Sequence, residues 1–234
     1  MTAIRQTTAA PRGMTPLFII PFLAAAAGVC HAGEIRFLPL TGEVAERKIG
    51  FQDDKSVAPL ADLNAGKRSK AYTFKSAKKP LALVALDRER PNGKPAGVEI
   101  MVAPEMKSPL VLILANPDEP SGMRAMVMED GVNGFPWGTL RFVNTTDKPL
   151  MIRYEKETKA VPGELKPFDI MPGGEARNIG IQVFAEDSPD TILYSAVWEH
   201  DPNLRKLVFI QAHTDPAQKE LKLEIIPQDK RVKN

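Results

Sequence analysis

A single cysteine occurs in 234 residues, and it sits at position 30, inside an amino-terminal segment with the marks of an export signal. Once that segment is removed the chain has no thiol, which excludes disulfide staples, thiolate metal sites and cysteine nucleophiles. Histidine is nearly as scarce: of three in all, only His200 and His213 follow the leader. Ten Phe, two Trp and three Tyr leave little material for an aromatic binding surface. Proline outnumbers glycine by 21 to 16, which argues against long helices, because proline interrupts helix and central strand alike. No Gly-x-Ser-x-Gly elbow, phosphate-cradling glycine loop or zinc-protease helix motif is present. Ser188 and Ser195 have no sequence context that would activate a hydroxyl, whereas a glycosidase using paired carboxylates stays open on spacing alone.

The leader itself is readable. Arg5 and Arg12 supply a positive start, and Thr15 to Val29 is an apolar run containing Phe18, Ile19, Ile20, Phe22 and Leu23. Cys30-His31-Ala32 then ends in a small residue suited to cleavage before Gly33, so residues 1–32 read as a signal peptide. The apolar run falls short of the about 20 residues a spanning helix needs, and it holds Pro16 and Pro21. Lipid anchoring through Cys30 is the weaker alternative, because Val29 is bulky where a small residue precedes a lipidated cysteine. The expected location is therefore periplasmic or extracellular, with no transmembrane segment in the mature chain. Without Arg5 and Arg12 the 31 basic residues become 29, equal to the 29 acidic ones. A chain of zero formal charge offers no bulk attraction to nucleic acid.

What the mature chain does have is alternation. Between Gly138 and Tyr154, Leu140 and Phe142 alternate with Arg141 and Val143, then a polar cluster runs from Asn144 to Pro149. Leu150, Ile152 and Tyr154 resume the pattern, and two period-2 runs around a turn predict a β-hairpin. Similar strand signals occur at Glu34–Leu40, Ala71–Lys75, Leu81–Leu86, Val98–Val102, Leu110–Leu114 and Met123–Met128. They continue at Arg177–Val183, Ile192–Trp198, Leu204–Ile210 and Leu221–Ile225. Pro91-Asn-Gly-Lys-Pro95 is a tight-turn signature, and Asn116 to Gly122 gathers enough breakers to mark a boundary. The prediction is an all-β protein of antiparallel β-sandwich type, in two domains spanning 33–118 and 119–234. No internal repeat of fixed period is visible in the sequence.

The run Phe142-Val-Asn-Thr-Thr-Asp-Lys-Pro-Leu150, followed by the turn Met171-Pro-Gly-Gly-Glu175, resembles Ig-like sandwich modules of exported bacterial proteins. The resemblance covers roughly the last 95 residues. It implies an architecture and an envelope location, and it implies no activity.

Three groups of residues could carry chemistry. Met123, Met126 and Met128 offer thioethers, which select Cu(I), with His200 as a fourth ligand; core packing explains the same methionines. On a strand Met126 and Met128 share a face and Met123 takes the other, so convergence requires a bulge or turn. His200 and His213 each stand beside acidic residues, but a strand of about ten residues between them spans roughly 30 Å, too far for one metal. Lys67, Arg68, Lys70, Lys75, Lys78 and Lys79 form a basic stretch with no acid between them. It could meet an envelope protein or an anionic envelope polymer, or serve as a charged edge that discourages sheet-to-sheet aggregation. Asn144-Thr-Thr146 fits a glycosylation sequon and equally a turn. The functional expectation is a non-enzymatic protein with a binding or structural role in the bacterial envelope and no cofactor. A copper-binding protein is the alternative.

Overall fold

The computed structural model describes residues 33–75, 80–89, 93, 95–213, 215 and 220–232. The leader with Cys30, most of the Pro91–Pro95 turn, Lys78 and Lys79 lie outside them. The first eight strands are β1 (Gly33–Pro39), β2 (Ile49–Asp53), β3 (Ser56–Pro59), β4 (Tyr72–Phe74), β5 (Leu81–Glu89), β6 (Pro95–Ile100), β7 (Pro109–Ala115) and β8 (Met123–Glu129). One helical turn, α1 (Gly42–Ala45), follows β1. The second eight are β9 (Leu140–Asn144), β10 (Leu150–Tyr154), β11 (Glu157–Val161), β12 (Pro167–Ile170), β13 (Arg177–Ala185), β14 (Ser188–His200), β15 (Leu204–Ala212) and β16 (Leu221–Asp229).

These strands build four sheets of four. In the first half the orders are β3-β2-β5-β6 and β4-β1-β7-β8. In the second half they are β11-β10-β13-β14 and β12-β9-β15-β16, the same two orders with every strand number raised by eight. The fold is thus a topological duplication that the sequence does not announce. Most pairings are antiparallel, as expected of a sandwich, but β1 runs parallel to β7 and β9 runs parallel to β15.

Three apolar cores separate the four sheets. Ile35, Phe37, Phe51, Leu83, Val111 and Ile113 fill the first, between the two sheets of the amino-terminal half. Phe142, Ile152, Ile181, Trp198, Val208 and Ile210 fill its counterpart in the carboxy-terminal half. The third lies between the halves, where Leu38, Leu110 and Leu112 meet Val143, Leu207 and Phe209. The sheets therefore stack as four layers. The two inner sheets are buried on both faces, which is why β7 and β15 read as near-continuous apolar runs instead of alternating ones.

Two expectations need correction. The Gly138–Tyr154 hairpin does not form: β9 pairs with β12 and β15, whereas β10 pairs with β11 and β13. The turn between them carries the chain from one sheet to the facing one. Leu140 and Phe142 still meet Leu150, Ile152 and Tyr154, but across the core rather than side by side. Alternation records which face of a strand is buried and is silent on whether its neighbour lies beside it or opposite it. Asn144 shapes the crossing, because its side-chain oxygen accepts from the Thr146 amide and hydroxyl while its NH2 donates to the Lys148 carbonyl. The second correction concerns position 118/119, which falls inside the β7–β8 hairpin. The connection between the halves instead runs from Asp130 to Thr139.

Candidate functional site

The most organised polar region of the molecule surrounds that connection. Asp130 is nine-tenths buried and takes both oxygens of its carboxylate to Arg68, at 2.7 Å each. Arg141 on β9 makes the same two-pronged contact with Asp169 on β12, again at 2.7 Å, and donates further to the carbonyls of Glu129 and Gly134. Arg205 on β15 donates to the Phe135 carbonyl at 2.7 Å and to Gln228 at 2.8 Å. The Arg141 and Arg205 guanidinium carbons lie 4.4 and 4.8 Å from the centre of the Phe135 ring, and Arg205 also lies 4.9 Å from that of Trp137. Glu129 closes the start of the segment by accepting from the amides of Lys107, Ser108 and Gly131.

Three arginines from three separate segments thus pin one connector, and each guanidinium finds carboxylate, carbonyl or ring partners. Burial, with the nearby cations Arg68 and Arg141, pulls Arg205 below its ordinary pKa, while Asp130 at 4.0 Å opposes the shift. Such planar, forked donors suit buried two-pronged contacts better than lysine does. What this arrangement does chemically is hold. It fixes one half of the molecule against the other.

The residues singled out in the sequence are scattered. Met123 is fully buried in the first core, Met128 is buried in the central core, and Met126 packs against that same central core. No bulge intervenes along β8, so the three thioethers are split across the two faces of one sheet, and the expected methionine cluster is not assembled. His200 lies at the end of β14 in the outermost sheet of the other half, on the far side of the inner sheet that β9 belongs to. Among the described residues no group of three or more His, Cys, Asp or Glu is placed to hold a metal ion.

The basic stretch is likewise no single patch. Arg68 turns inward to Asp130, Lys67 is exposed, and Lys70 is exposed above the Tyr72 ring at 5.7 Å. Lys75 is exposed, with its backbone amide donating to Asp53. Asn144 is fully buried with its amide engaged in the turn, so it is closed to glycosylation in the folded chain.

His200 has an environment of its own. It is 2% exposed, and its Nε2 has no protein partner, as is true of the buried Thr139 hydroxyl nearby in the connector. Burial lowers its pKa first, and the Arg177 and Lys206 cations lower it further, against the opposing pull of Asp201 and Glu155. It is therefore held neutral.

A cleft of about 670 Å³ opens beside the junction, lined by Arg124, Thr146, Lys148, Glu164 and Leu165 among others. Its floor includes two consecutive left-handed residues, Glu164 at φ 55° and Leu165 at φ 62°. Leu165 accounts for the strain, since its side chain is anchored in the central core. Arg124 crosses the cleft to the Thr145 carbonyl at 3.2 Å.

The sequence marks Arg68 only as one member of a basic stretch, and it does not single out Arg141 or Arg205 as part of a site. Their trace was present: Arg141 interrupts Leu140 and Phe142 at the start of a buried strand, and Phe135 and Trp137 lie together in a glycine-rich loop of an aromatic-poor chain. No protein-family model matches the chain, and no curated protein matches it either.

Proposed function

We propose that this is a non-enzymatic, exported β-sandwich protein with a binding or structural role in the bacterial envelope. The observation that carries the reading is the fusion of the two halves through a third apolar core and a buried arginine clamp. A contact protein works by holding surfaces at fixed separation and orientation, and four interlocked layers do so without a hinge. Its buried arginines and their carboxylate partners are engaged in that architecture. The leader at residues 1–32 and the likeness of roughly the last 95 residues to Ig-like modules support export. Among the described residues no helix is long and apolar enough to cross a membrane.

The test is retention. The mature chain, immobilised from Gly33 onward, is exposed to a detergent-solubilised envelope extract alongside an unrelated β-sandwich of similar charge. Retention of a defined protein or polymer by this chain and not by the control is the expected result. Equal retention by both, or turnover of a hydrolase substrate that survives repurification, refutes the reading.

A further inference from the structure

Every open sheet presents two edges, and here they are β3 and β6, β4 and β8, β11 and β14, and β12 and β16. Seven of the eight carry the features that discourage pairing with another chain. β3, β4 and β12 are three or four residues long. β6 contains Pro95, Gly97 and Glu99, β8 contains Arg124 and Glu129, and β11 contains Glu157 and Lys159. β16 carries Lys222, Glu224 and Pro227. β14 also carries Pro189, Asp190 and Glu199 toward its ends, but it is the longest of these strands at 13 residues, and its eight central residues from Thr191 to Trp198 have neither charge nor proline. Uncharged, β-prone edges of this kind are templates for strand addition.

The hydrogen bonds show which groups of β14 are open. The Gly180 carbonyl on β13 accepts from Glu155, so Gly180 faces β10. Its partner Val197 therefore turns its own N–H and C=O away from β13, and Ser195, two residues earlier, does the same. Glu199 has the same orientation, and its carbonyl is already taken by the Lys206 ammonium. A register shift at Val183/Phe184 leaves Leu193 as an extra residue and ends the regular stretch there. The open segment is thus Tyr194–Trp198, with two donors and two acceptors on Ser195 and Val197. Val197 is 71% exposed beside Gly180, whose missing side chain leaves a shelf with nothing within 4 Å of a Cβ.

We infer that the β14 edge is a docking site for an extended strand from a partner with basic residues flanking a short uncharged centre. Acidic groups lie beyond both ends of the open segment: Glu186, Asp187 and Asp190 before it, Glu199 and Asp201 after it. At the second end Lys206 sits on the Glu199 carbonyl, Arg177 on Glu155 at 2.8 Å and Arg231 on Asp201 at 3.0 Å, so Asp201 is already paired there and the acidic flank is weighted to the first end. The same charges disfavour a second copy. A two-fold pairing centred on Ala196 sets Ser195 opposite Val197, but it also sets Thr191 opposite Asp201, bringing Asp190 of one copy beside Asp201 of the other. Main-chain hydrogen bonds give strand addition its affinity, and flanking charge selects the partner. This inference rests on the contact role proposed above and names its surface.

The probe is a pair of synthetic peptides with an alternating Thr-Val centre, one flanked by two lysines at each end and the other by two glutamates. The mature protein is titrated with each, and amide hydrogen exchange is followed residue by residue. The expected result is slowed exchange at Ser195 and Val197 with the lysine-flanked peptide, which binds at least tenfold tighter than the glutamate-flanked one. Ser195→Pro removes one open donor without breaking the β13 ladder and abolishes that protection. Val197→Lys, at a solvent-exposed position, weakens binding at least tenfold. Equal binding of the two peptides, protection elsewhere only, or a free protein already dimeric with Ser195 and Val197 protected overturns the inference. Failure here with retention of an envelope component intact rejects the β14 edge alone. Peptide binding at β14 with no envelope component retained rejects the broader contact role.

Discussion

Replacing Asp130 with alanine removes one side of a deeply buried ion pair at the junction. The pair is two-pronged at 2.7 Å, and its side chains are only 10% and 8% exposed. Loss of the carboxylate strands the Arg68 guanidinium and withdraws the carboxylate 4.0 Å from Arg205. Breaking a buried pair from one side costs about 3–5 kcal/mol, whereas an exposed pair is worth about 0–1 kcal/mol. Lys166–Glu164, at 68% and 82% exposure, is the internal control for the second case. Urea unfolding, followed by tryptophan fluorescence and far-UV circular dichroism, reads both values. Trp137 lies against Arg205 at the junction, while Trp198 stacks on Phe142 at 5.9 Å inside the second half. The native chain unfolds in one transition by both probes, because the central core couples the halves. Asp130→Ala lowers stability by about 3–5 kcal/mol, and Arg68→Met/Asp130→Leu recovers most of the loss, since a well-packed apolar pair replaces a buried ionic one at little net cost. A loss under about 1 kcal/mol in the single variant, or a double variant that merely sums two losses, refutes the clamp.

Other positions give sharper, smaller readouts. His200 has a folded pKa below the ordinary 6.5, so the unfolded chain binds its proton first as pH falls. Its stabilising contribution is complete above pH 6.5 and is lost on acidification from there through the folded pKa; in His200→Gln the stability–pH slope in that window shrinks, and an unchanged slope counts against the buried neutral imidazole. Met123→Ala opens a fully buried site and costs about 2–5 kcal/mol in the same unfolding assay, while Cu(I) titration gives one affinity for the native chain and Met126→Ala. A tenfold loss of Cu(I) affinity in Met126→Ala would restore the metal reading. Glu164→Gly relieves a left-handed residue whose side chain is exposed, and it raises stability by about 1 kcal/mol; a lower unfolding midpoint contradicts that account.

Strand identity was legible in this sequence because it is local. Leu150, Ile152 and Tyr154 announce a buried face regardless of what lies beside them, and so do Ile179, Ile181 and Val183. Pairing was not legible, because it is decided by elements far apart in the chain. The Asn144 turn reads as a hairpin loop, yet its side-chain hydrogen bonds direct an arch between sheets. Parallel β1–β7 and β9–β15 contacts join strands separated by five intervening ones. The junction was hidden for a different reason. An arginine within an apolar strand has no meaning until the carboxylate that neutralises it is known, and Arg68 and Asp130 are 62 residues apart.

The duplication leaves a trace in the sequence, but one without a fixed period. Ile35-Arg-Phe-Leu38 at the end of β1 answers Leu140-Arg-Phe-Val143 in β9, and Leu110-Val-Leu-Ile113 in β7 answers Leu207-Val-Phe-Ile210 in β15. Phe37 pairs with Val111 as Phe142 pairs with Val208, so the registers agree as well as the residues. In each half the second and fourth residues of the β7 and β15 quartets, Val111 with Ile113 and Val208 with Ile210, face their own sandwich core. The first and third, Leu110 with Leu112 and Leu207 with Phe209, face the central core. Only these inner strands answer to two cores at once, and only there does the repeat stay visible in the residues. The outer sheets answer to one core and to solvent, so nothing in the packing requires their outward faces to match. β6 holds Pro95 and Glu99, while its counterpart β14 is longer and has an uncharged stretch from Thr191 to Trp198. A fold doubled in topology thus repeats its residues where two cores constrain a strand and differs where one face of the sheet meets solvent.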